Sequence, residues 1–202
     1  MRIGIIGTGR VAQALAGRWT TAGHDVTLGS RDPRAKQGLG FTVAALTDAM
    51  GPADVVVNAT PGASSLASLT QAGAGALDGK VLIDVANAVT GAGGLAYSDS
   101  SLAEELQKAF PAAMVVKALN TANTSVMTNP GALAPTTVFL SGDDAQAKER
   151  AAALVRDLGW PAAAIIDLGG IASARGPEHY FILFIGLFQA LGTPTFNINV
   201  VH

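Results

Sequence analysis

A glycine-rich turn separates the apolar run "RIGII" from an amphipathic stretch early in the chain. Its residues, Gly7-Thr8-Gly9-Arg10-Val11-Ala12, match the G-x-G-x-x-A fingerprint of dinucleotide-binding sites. The first glycine permits a tight turn, the second lets the backbone approach a pyrophosphate, and the small alanine allows close helix packing. The free N–H groups at the start of the helix then attract the anion. An ordinary tight connection is the alternative, but the strand before the turn and the helix after it favour a dinucleotide site.

The end of the second predicted strand indicates which dinucleotide binds. An NAD site normally carries an acidic residue there, about 20 residues after the glycines, to bind the ribose hydroxyls. This chain has "GSR" instead, and Ser30 and Arg31 offer a hydroxyl and a guanidinium to a 2′-phosphate. The pattern therefore predicts NADP. Two alternatives stay open: Asp32 binds the ribose of NAD, or Arg31 is a solvated arginine in a basic loop.

Three later strands end in small or amide-bearing residues. In a doubly wound sheet, ligands bind beyond the carboxyl ends of the strands. We therefore predict contacts to a cofactor or substrate from Thr60, Pro61, Ala86, Asn87 and Asn120. The alternative for each is turn chemistry, because asparagine and proline are common loop residues.

Few side chains in this sequence suit acid–base catalysis, and there is no cysteine to act as a nucleophile or metal ligand. Asn120 and His179 are weak catalytic candidates. His179 follows Arg175 by four positions, so the two share a helix face that either binds an anion or is simply solvated. Lys117 either donates a proton in the cleft or extends from a sheet edge. Whether Lys117, Arg175 and His179 contact substrate stays open. We predict no metal site and direct hydride transfer, for which the cofactor carries the chemistry.

Short apolar runs alternate with helical patterns along most of the chain. This alternation predicts an α/β, Rossmann-like, doubly wound and mainly parallel sheet. The predicted strands are 2–6, 25–28, 41–43, 54–59, 81–85, 115–119, 137–141 and 164–167. The predicted helices are 10–22, 44–50, 64–77, 101–110, 144–158 and 172–191. We expect residues 1–120 to form an NADP-binding domain and residues 121–202 to form a small C-terminal lobe on the same sheet, ending in a long apolar helix.

The composition of the chain limits the classes of binding partner that we expect. The chain has 202 residues, 49% of them apolar and 14% charged, and a net charge of -2 with no basic run, so we expect no nucleic-acid partner. The longest apolar run, residues 180–191, is too short to span a bilayer, so we expect no membrane partner. We see no secretory signal and predict a cytoplasmic location. An apolar last helix on a small protein predicts a homodimer.

Seven stretches of sequence carry a resemblance that covers nearly the whole chain. They are, in order, "RIGIIGTGRVAQALA", "GSR", "DVVVNATPG", "VLIDVANA", "VVKALNT", "FLSGDDAQAKERAAALVRDLGW" and "IIDLGGIASAR". Together they resemble the NADP oxidoreductases that use coenzyme F-420, an 8-hydroxy-5-deazaflavin. The resemblance implies a Rossmann-like domain and a flat redox partner stacked on the nicotinamide. It also implies that NADP is bound through Thr8, Gly9, Arg10, Ser30 and Arg31, and that the ring pocket is lined by Pro61, Ala86 and Asn120.

The predicted function is therefore NADP-dependent hydride transfer to or from a small-molecule acceptor, either coenzyme F-420 or a flavin. The alternatives are a reductase of a ferric, imine or hydroxyacid substrate, and a non-catalytic NADP-binding sensor. The aromatic residues of the last helix favour a core or dimer interface over a flavin shelf. The predicted cofactor-binding residues are Gly7, Thr8, Gly9, Arg10, Val11, Ser30, Arg31, Thr60, Pro61, Ala86, Asn87 and Asn120.

Overall fold

The computed structural model describes residues 1–73, 75–91, 93–133 and 135–201. Within these ranges the strands are β1 (Arg2–Ile6), β2 (Asp25–Ser30), β3 (Thr42–Ala45), β4 (Val55–Asn58), β5 (Val81–Asp84), β6 (Met114–Ala118), β7 (Val138–Ser141) and β8 (Ile165–Asp167). The α-helices are α1 (Arg10–Thr21), α2 (Leu46–Met50), α3 (Gly62–Thr70), α4 (Leu102–Ala109), α5 (Thr124–Met127), α6 (Ala145–Asp157) and α7 (Arg175–Leu191).

All eight described strands form one sheet in the order β3-β2-β1-β4-β5-β6-β7-β8. Every neighbouring pair is parallel except β6 and β7, which are antiparallel. The predicted doubly wound, mainly parallel sheet is therefore confirmed. The strand order reverses between β1 and β4, and the loops that follow these strands diverge there to leave a crevice.

Two helix predictions need correction. The predicted helix 64–77, whose residue 74 lies outside the described ranges, ends at Thr70, because Gly73 adopts a positive φ of 98° that an α-helix does not continue through. The short helix α5 was not among the predicted helices; it lies in the segment 121–136, which contains four threonines and two prolines. It begins because the side chain of Asn123 accepts a hydrogen bond from the Ser125 N–H at 2.8 Å.

Apolar layers cover both faces of the sheet, as buried parallel strands require. On one face α1 and α6 pack together, and the indole N–H of Trp19 donates to the carbonyl of Leu154 at 2.9 Å. On the other face α2, α3 and α4 form a second apolar cluster. Strands β7 and β8 extend the same sheet, whereas the division of the chain at residue 120 stays a prediction.

A buried lysine holds α7 against the sheet. The Nζ atom of Lys117 on β6 lies 2.7 Å from a carboxylate oxygen of Asp84 on β5 and 2.8 Å from one of Glu178 on α7. It also donates to the carbonyl oxygen of Ala86. The three charged side chains are at most 4% exposed. Both expectations for Lys117 are therefore wrong. Its side chain does not extend from the sheet edge and does not enter a cleft, because the residue is buried in a central strand.

The cluster contains one cation and two carboxylates, and backbone N–H groups compensate the charge of the second carboxylate. Glu178 accepts hydrogen bonds from the N–H groups of Leu102 at 2.8 Å and Ala103 at 3.1 Å, at the start of α4. A helix N-terminus favours a carboxylate through its unpaired N–H groups and its dipole. One side chain thus connects α7, α4 and β6. This connection sets where the first turn of α7 lies.

We expect Lys117→Met to destabilise the protein strongly. The substitution keeps most of the apolar volume but leaves the buried carboxylates of Asp84 and Glu178 without their cation. Removing one partner from a buried ion pair typically costs about 3–5 kcal/mol of unfolding free energy. Urea unfolding followed by circular dichroism measures the difference.

Lys108→Met provides a matched control, because Lys108 is 66% exposed and pairs only with Glu105 on the same helix. Surface changes of this kind stay within about 0.5 kcal/mol. Equal losses for the two variants would contradict the stabilising role of the buried cation.

Candidate functional site

The glycine turn after β1 requires a residue without a side chain at position 7. Gly7 has a φ of 120°, and a Cβ atom there would lie 2.7 Å from the carbonyl oxygen of Ala59. Gly9 caps α1, no side-chain cap is found for that helix among the described residues, and a Cβ atom on Gly9 would meet nothing within 4 Å. The N–H groups are thus open to a ligand on that side. This geometry fits a pyrophosphate.

A cavity of about 660 Å³, which we call the phosphate cleft, opens in front of this turn. Its walls come from the glycine turn, the end of β2 and the start of α3. Predicted cofactor-binding residues among its walls are Gly7, Thr8, Gly9, Arg10, Val11, Ser30, Arg31, Thr60 and Pro61. Asp32, Lys36, Ser64 and Ser68 complete its polar lining, and Lys36 belongs to the basic loop that the sequence interpretation noted without assigning it a contact.

The end of β2 presents polar groups to the phosphate cleft. Ser30 is nearly buried, and its hydroxyl accepts a hydrogen bond from the N–H of Asp32 at 3.1 Å. The Asp32 carboxylate accepts from the N–H of Ala35 at 3.1 Å, so one of its oxygens orders the following turn. Arg31 is exposed and lines the cleft. A guanidinium at this place is suited to bind a phosphate group.

A second cavity of about 610 Å³, which we call the aromatic cavity, adjoins the phosphate cleft. The two share four lining residues, Arg10, Val11, Thr60 and Pro61. The remaining predicted residues, Ala86, Asn87 and Asn120, line the aromatic cavity. The fold thus brings all twelve predicted cofactor-binding residues to one of two adjoining cavities at the carboxyl ends of the strands.

Buried hydrogen bonds hold the strand ends beneath these cavities. The amide of Asn58 at the end of β4 donates to Asp84 at 2.7 Å and to the hydroxyl of Ser65 at 2.9 Å. Its carbonyl oxygen accepts from the hydroxyl of Thr60 at 2.7 Å. Because Asp84 also binds Lys117, the same network reaches from the cavity wall to the buried cation. A fully satisfied polar network of this kind rigidifies its surroundings.

Two asparagines join the ends of β5 and β6. The amide of Asn87 donates to the carbonyl of Asn120 at 2.8 Å, and the amide of Asn120 donates to the side-chain oxygen of Asn87 at 2.9 Å. The same Asn120 amide donates to the carbonyl of Pro177, just before Glu178, at 2.9 Å. Asn120 therefore helps to hold the first turn of α7 at the cavity.

Helix α7 supplies a wall for which the sequence interpretation favoured a core or interface role. Five of its side chains line the aromatic cavity. They are Ile185 and the aromatic residues Tyr180, Phe181, Phe184 and Phe188. Phe184 also stacks on Phe196 with ring centroids 4.8 Å apart. The three- and four-residue spacing of these aromatics was visible in the sequence, but the cavity that they face was not.

The remaining candidates lie elsewhere. His179 is exposed and lines neither cavity. Arg175 donates to both carboxylate oxygens of Glu104 at 2.7 and 2.8 Å, and this contact holds the pKa of Glu104 below its usual value. The structure therefore uses Arg175 to attach α7 to α4. Within the described residues, no cluster of histidine and acidic side chains has an arrangement that holds a metal ion.

The aromatic cavity is poor in proton-transfer groups. Of its described lining residues only Arg10 and Tyr180 carry titratable side chains, and burial raises the pKa of Tyr180 above its ordinary value. Neither a carboxylate nor an imidazole is among them. The described lining of the cavity thus offers mainly apolar contacts and few groups for proton transfer. No helix in the described ranges, α7 included, combines the length and hydropathy needed to cross a bilayer.

Comparison with known proteins extends these observations. The family described as NADP oxidoreductase, coenzyme F-420-dependent, matches residues 2–88. The chain is 34% identical to metalloreductase STEAP3 of Rattus norvegicus over 182 residues, which are 88% of this chain and 36% of that protein. It thus spans about a third of the length of that relative. An imine reductase from Streptomyces aurantiacus, with 16% identity, a TM-score of 0.69 and coverage of 94% of this chain and 62% of that one, shares the fold alone.

A candidate F-420-dependent NADP reductase from Arthrobacter sp. FB24 is similar over the whole length. Its crystal structure has a TM-score of 0.94 and 42% identity, and the match covers 100% of both chains. The chain therefore belongs to the coenzyme F-420-dependent family of NADP oxidoreductases, and it is an NADP-dependent oxidoreductase.

Proposed function

We propose that this protein transfers hydride directly between NADP(H) and a flat ring, either coenzyme F-420 or a flavin. The observation that carries the proposal is the aromatic cavity, whose volume of about 610 Å³ adjoins the phosphate cleft through four shared residues. A dinucleotide with its phosphates on the glycine turn extends its nicotinamide toward that cavity. The volume and the apolar walls suit a second ring beside the nicotinamide.

The residues of the phosphate cleft bind and orient the cofactor in this proposal. The N–H groups at the start of α1 hold the pyrophosphate, and Ser30 and Arg31 hold the 2′-phosphate. NADPH, when bound, supplies the hydride from its nicotinamide ring. Pro61, Ala86 and Asn120 bound the space in which that ring meets its partner.

The aromatic wall of α7 excludes water and keeps the two rings face to face. Holding two reactants in the right geometry is itself a large part of catalysis. Hydride transfer between two redox rings needs no protein acid or base at the reacting atoms. The lack of carboxylates and imidazoles among the described lining residues supports this chemistry over reactions that need one of those groups as a general acid or base.

We expect NADPH-loaded protein to reduce a ring acceptor at about 1 s⁻¹ or faster, within the usual range of enzyme turnover. Stopped-flow mixing with coenzyme F-420, FMN and FAD, followed at 340 nm on the order of seconds, measures the rate. Parallel mixing with a ferric chelate and a cyclic imine tests the acceptors suggested by the other relatives.

The outcome separates the candidate functions. Acceleration by a ring acceptor supports the proposal and identifies the acceptor. Faster oxidation with the ferric chelate or the imine alone would contradict the proposal in favour of another reductase. NADPH binding without turnover of any acceptor would contradict it in favour of a non-catalytic sensor.

We also expect Arg31→Ala to weaken NADPH and to leave NADH nearly unchanged. The guanidinium is proposed to bind the 2′-phosphate, which NADH lacks. The loss corresponds to a hydrogen bond between charged groups, about 1.5–3 kcal/mol of binding free energy. Fluorescence titration with each nucleotide measures the two dissociation constants.

Arg34→Ala is the matched control, because Arg34 is exposed in the same loop and does not line the phosphate cleft. We expect this variant to bind NADPH almost as the wild type does. Equal losses for NADPH and NADH in Arg31→Ala would show that Arg31 does not recognise the 2′-phosphate.

A homodimer through the outer face of α7 is a further part of the proposal. At 100° per residue, Ile182 and Leu183 lie away from the cavity-lining side of the helix, and they are 52% and 56% exposed. Exposed apolar side chains that cluster on one helix face are typical of an interface.

The division at residue 120, a cytoplasmic location and the absence of nucleic-acid and membrane partners remain predictions from the sequence.

We expect Leu183→Glu to weaken the dimer about 10- to 100-fold, since it removes one buried leucine from the interface. Light scattering over a concentration series measures the dissociation constant. Leu168→Glu is the control, because Leu168 is also an exposed leucine, 39% exposed, but lies outside α7. A wild-type monomer at all concentrations would rule out the dimer.

A further inference from the structure

The chain after α7 turns back to the sheet and contacts it a second time. Gly192 ends the helix with a left-handed φ of 68°, a conformation that glycine adopts without strain. Residues 194–200, which we call the return segment, then reach residues 136–137, just before β7. Helix α7 is therefore attached to the rest of the protein on both sides of its aromatic stretch. Glu178 attaches its first turn, and the return segment attaches the chain beyond its last turn.

Hydrogen bonds fix the position of the return segment. The side-chain amide of Asn197 donates to the hydroxyl of Thr136 at 2.6 Å and to the carbonyl of Thr137 at 2.8 Å. The N–H of Thr137 donates to the carbonyl of Ile198 at 3.0 Å, and its hydroxyl accepts from the N–H of Val200 at 3.0 Å. Three backbone groups and one side-chain amide thus define where the segment lies. The residue immediately before Asn197 is held in place by the same bonds.

That residue, Phe196, supports the aromatic wall without lining the aromatic cavity. Its ring stacks on Phe184 with centroids 4.8 Å apart and planes 30° apart. Phe184 also contacts Tyr180 and Phe181 on its own helix, each with centroids 6.4 Å apart. Phe184 is therefore the central ring of this cluster. Within the described residues, Phe196 is the member that comes from outside α7.

The aromatic wall has little burial of its own to fix it. Pro177 and Glu178 are buried, whereas residues 179–191 are half-buried or exposed. Phe184 is half-buried and Phe188 is 40% exposed. A side chain that few atoms surround keeps more of its rotamer freedom unless a neighbour restricts it. The position of the wall therefore depends on the contacts made at the two ends of the helix.

We propose that Phe196 and Asn197 are positioning residues for the ring acceptor. Asn197 holds the return segment against residues 136–137, and Phe196 thereby holds Phe184 at the face of the aromatic cavity. The inference rests on the proposed function for the identity of the ligand. Loss of either residue affects a ring in the aromatic cavity more than it affects NADPH, because neither residue lines the phosphate cleft.

The test measures ring binding in Phe196→Leu, Phe196→Tyr and Asn197→Ala. Leucine removes the stacked ring, tyrosine keeps it, and alanine removes the amide that holds the segment. We expect the leucine and alanine variants to raise the dissociation constant of the ring acceptor about three- to tenfold. Phe196→Tyr and the NADPH dissociation constants of all three variants are expected to stay within about twofold of the wild type.

Two titrations provide these constants. The fluorescence of FMN and of coenzyme F-420 reports ring binding to protein loaded with NADP⁺, which has no hydride to transfer, so turnover does not interfere. Fluorescence titration measures NADPH binding separately. Thermal unfolding of each variant shows whether a change in ring affinity accompanies a general loss of stability.

Hydrogen exchange of the α7 amides provides a readout that needs no ring ligand. Local opening of a helix controls how fast its amides exchange, so a helix released at one end exchanges faster there. In Asn197→Ala we expect exchange over residues 183–191 to rise about three- to tenfold. Exchange over α1, which carries the glycine turn at its start, is expected to stay unchanged.

Asn129→Ala and Phe110→Leu are the matched controls. Asn129 is exposed, and Phe110 is half-buried against the second apolar cluster. Neither residue lines the aromatic cavity or the phosphate cleft. We expect ring binding and α7 exchange to be unchanged in both, even where Phe110→Leu lowers the melting temperature.

Weaker ring binding in Phe196→Leu and Asn197→Ala, with NADPH binding retained, supports the proposal. Unchanged ring affinity in these two variants would overturn it, even if α7 exchanges faster. An equal loss for NADPH, or an equal loss of ring binding in Phe110→Leu, would also overturn it, since either indicates a general effect on the fold. If the wild type binds neither FMN nor coenzyme F-420, the proposed function fails, and α7 exchange alone decides whether the return segment positions the wall.

Discussion

The burial of one lysine constrains the rest of the structure. Lys117 lies in a central strand at 1% exposure, where an ammonium without partners would be strongly unfavourable. Its carboxylate partners, Asp84 and Glu178, come from the neighbouring strand and from α7. One of the two carboxylates that compensate the cation is therefore in place only when the last helix lies against the carboxyl ends of the strands. Of that helix, only Pro177 and Glu178 are buried, so its best-shielded contacts to the sheet lie at its first turn.

The same cluster connects the buried interior of the sheet to the candidate site. Asp84 passes hydrogen bonds on to Asn58 and through it to Thr60 on the cavity wall. Asn120 holds the other side of the first turn of α7. The floor of the aromatic cavity is thus a set of paired polar groups, and its wall is apolar. A rigid polar floor beneath an apolar wall suits a reaction in which two flat rings must be aligned and water excluded.

Helix α7 serves two purposes because its residues 180–188 are apolar on all sides. Its inner face lines the cavity with Phe181, Phe184 and Phe188, and its outer face presents Ile182 and Leu183. The sequence interpretation favoured a core or interface role over a ring shelf for the aromatics. Helical periodicity alone does not distinguish these roles, since it says which residues share a face but not what that face meets.

Local patterns in the sequence determined the glycine turn, the eight strands and the residues that follow them, because each depends on short-range steric and hydrophobic preferences. The rule that strand ends meet at one sheet edge then predicted which residues share a site. Only the tertiary structure decided the roles of Lys117, Glu178 and Arg175 and the side of α7 that faces the cavity. Glu178 meets Leu102 and Lys117 across 76 and 61 residues of chain. Such contacts depend on the packing of α7 on the sheet, which no local propensity encodes.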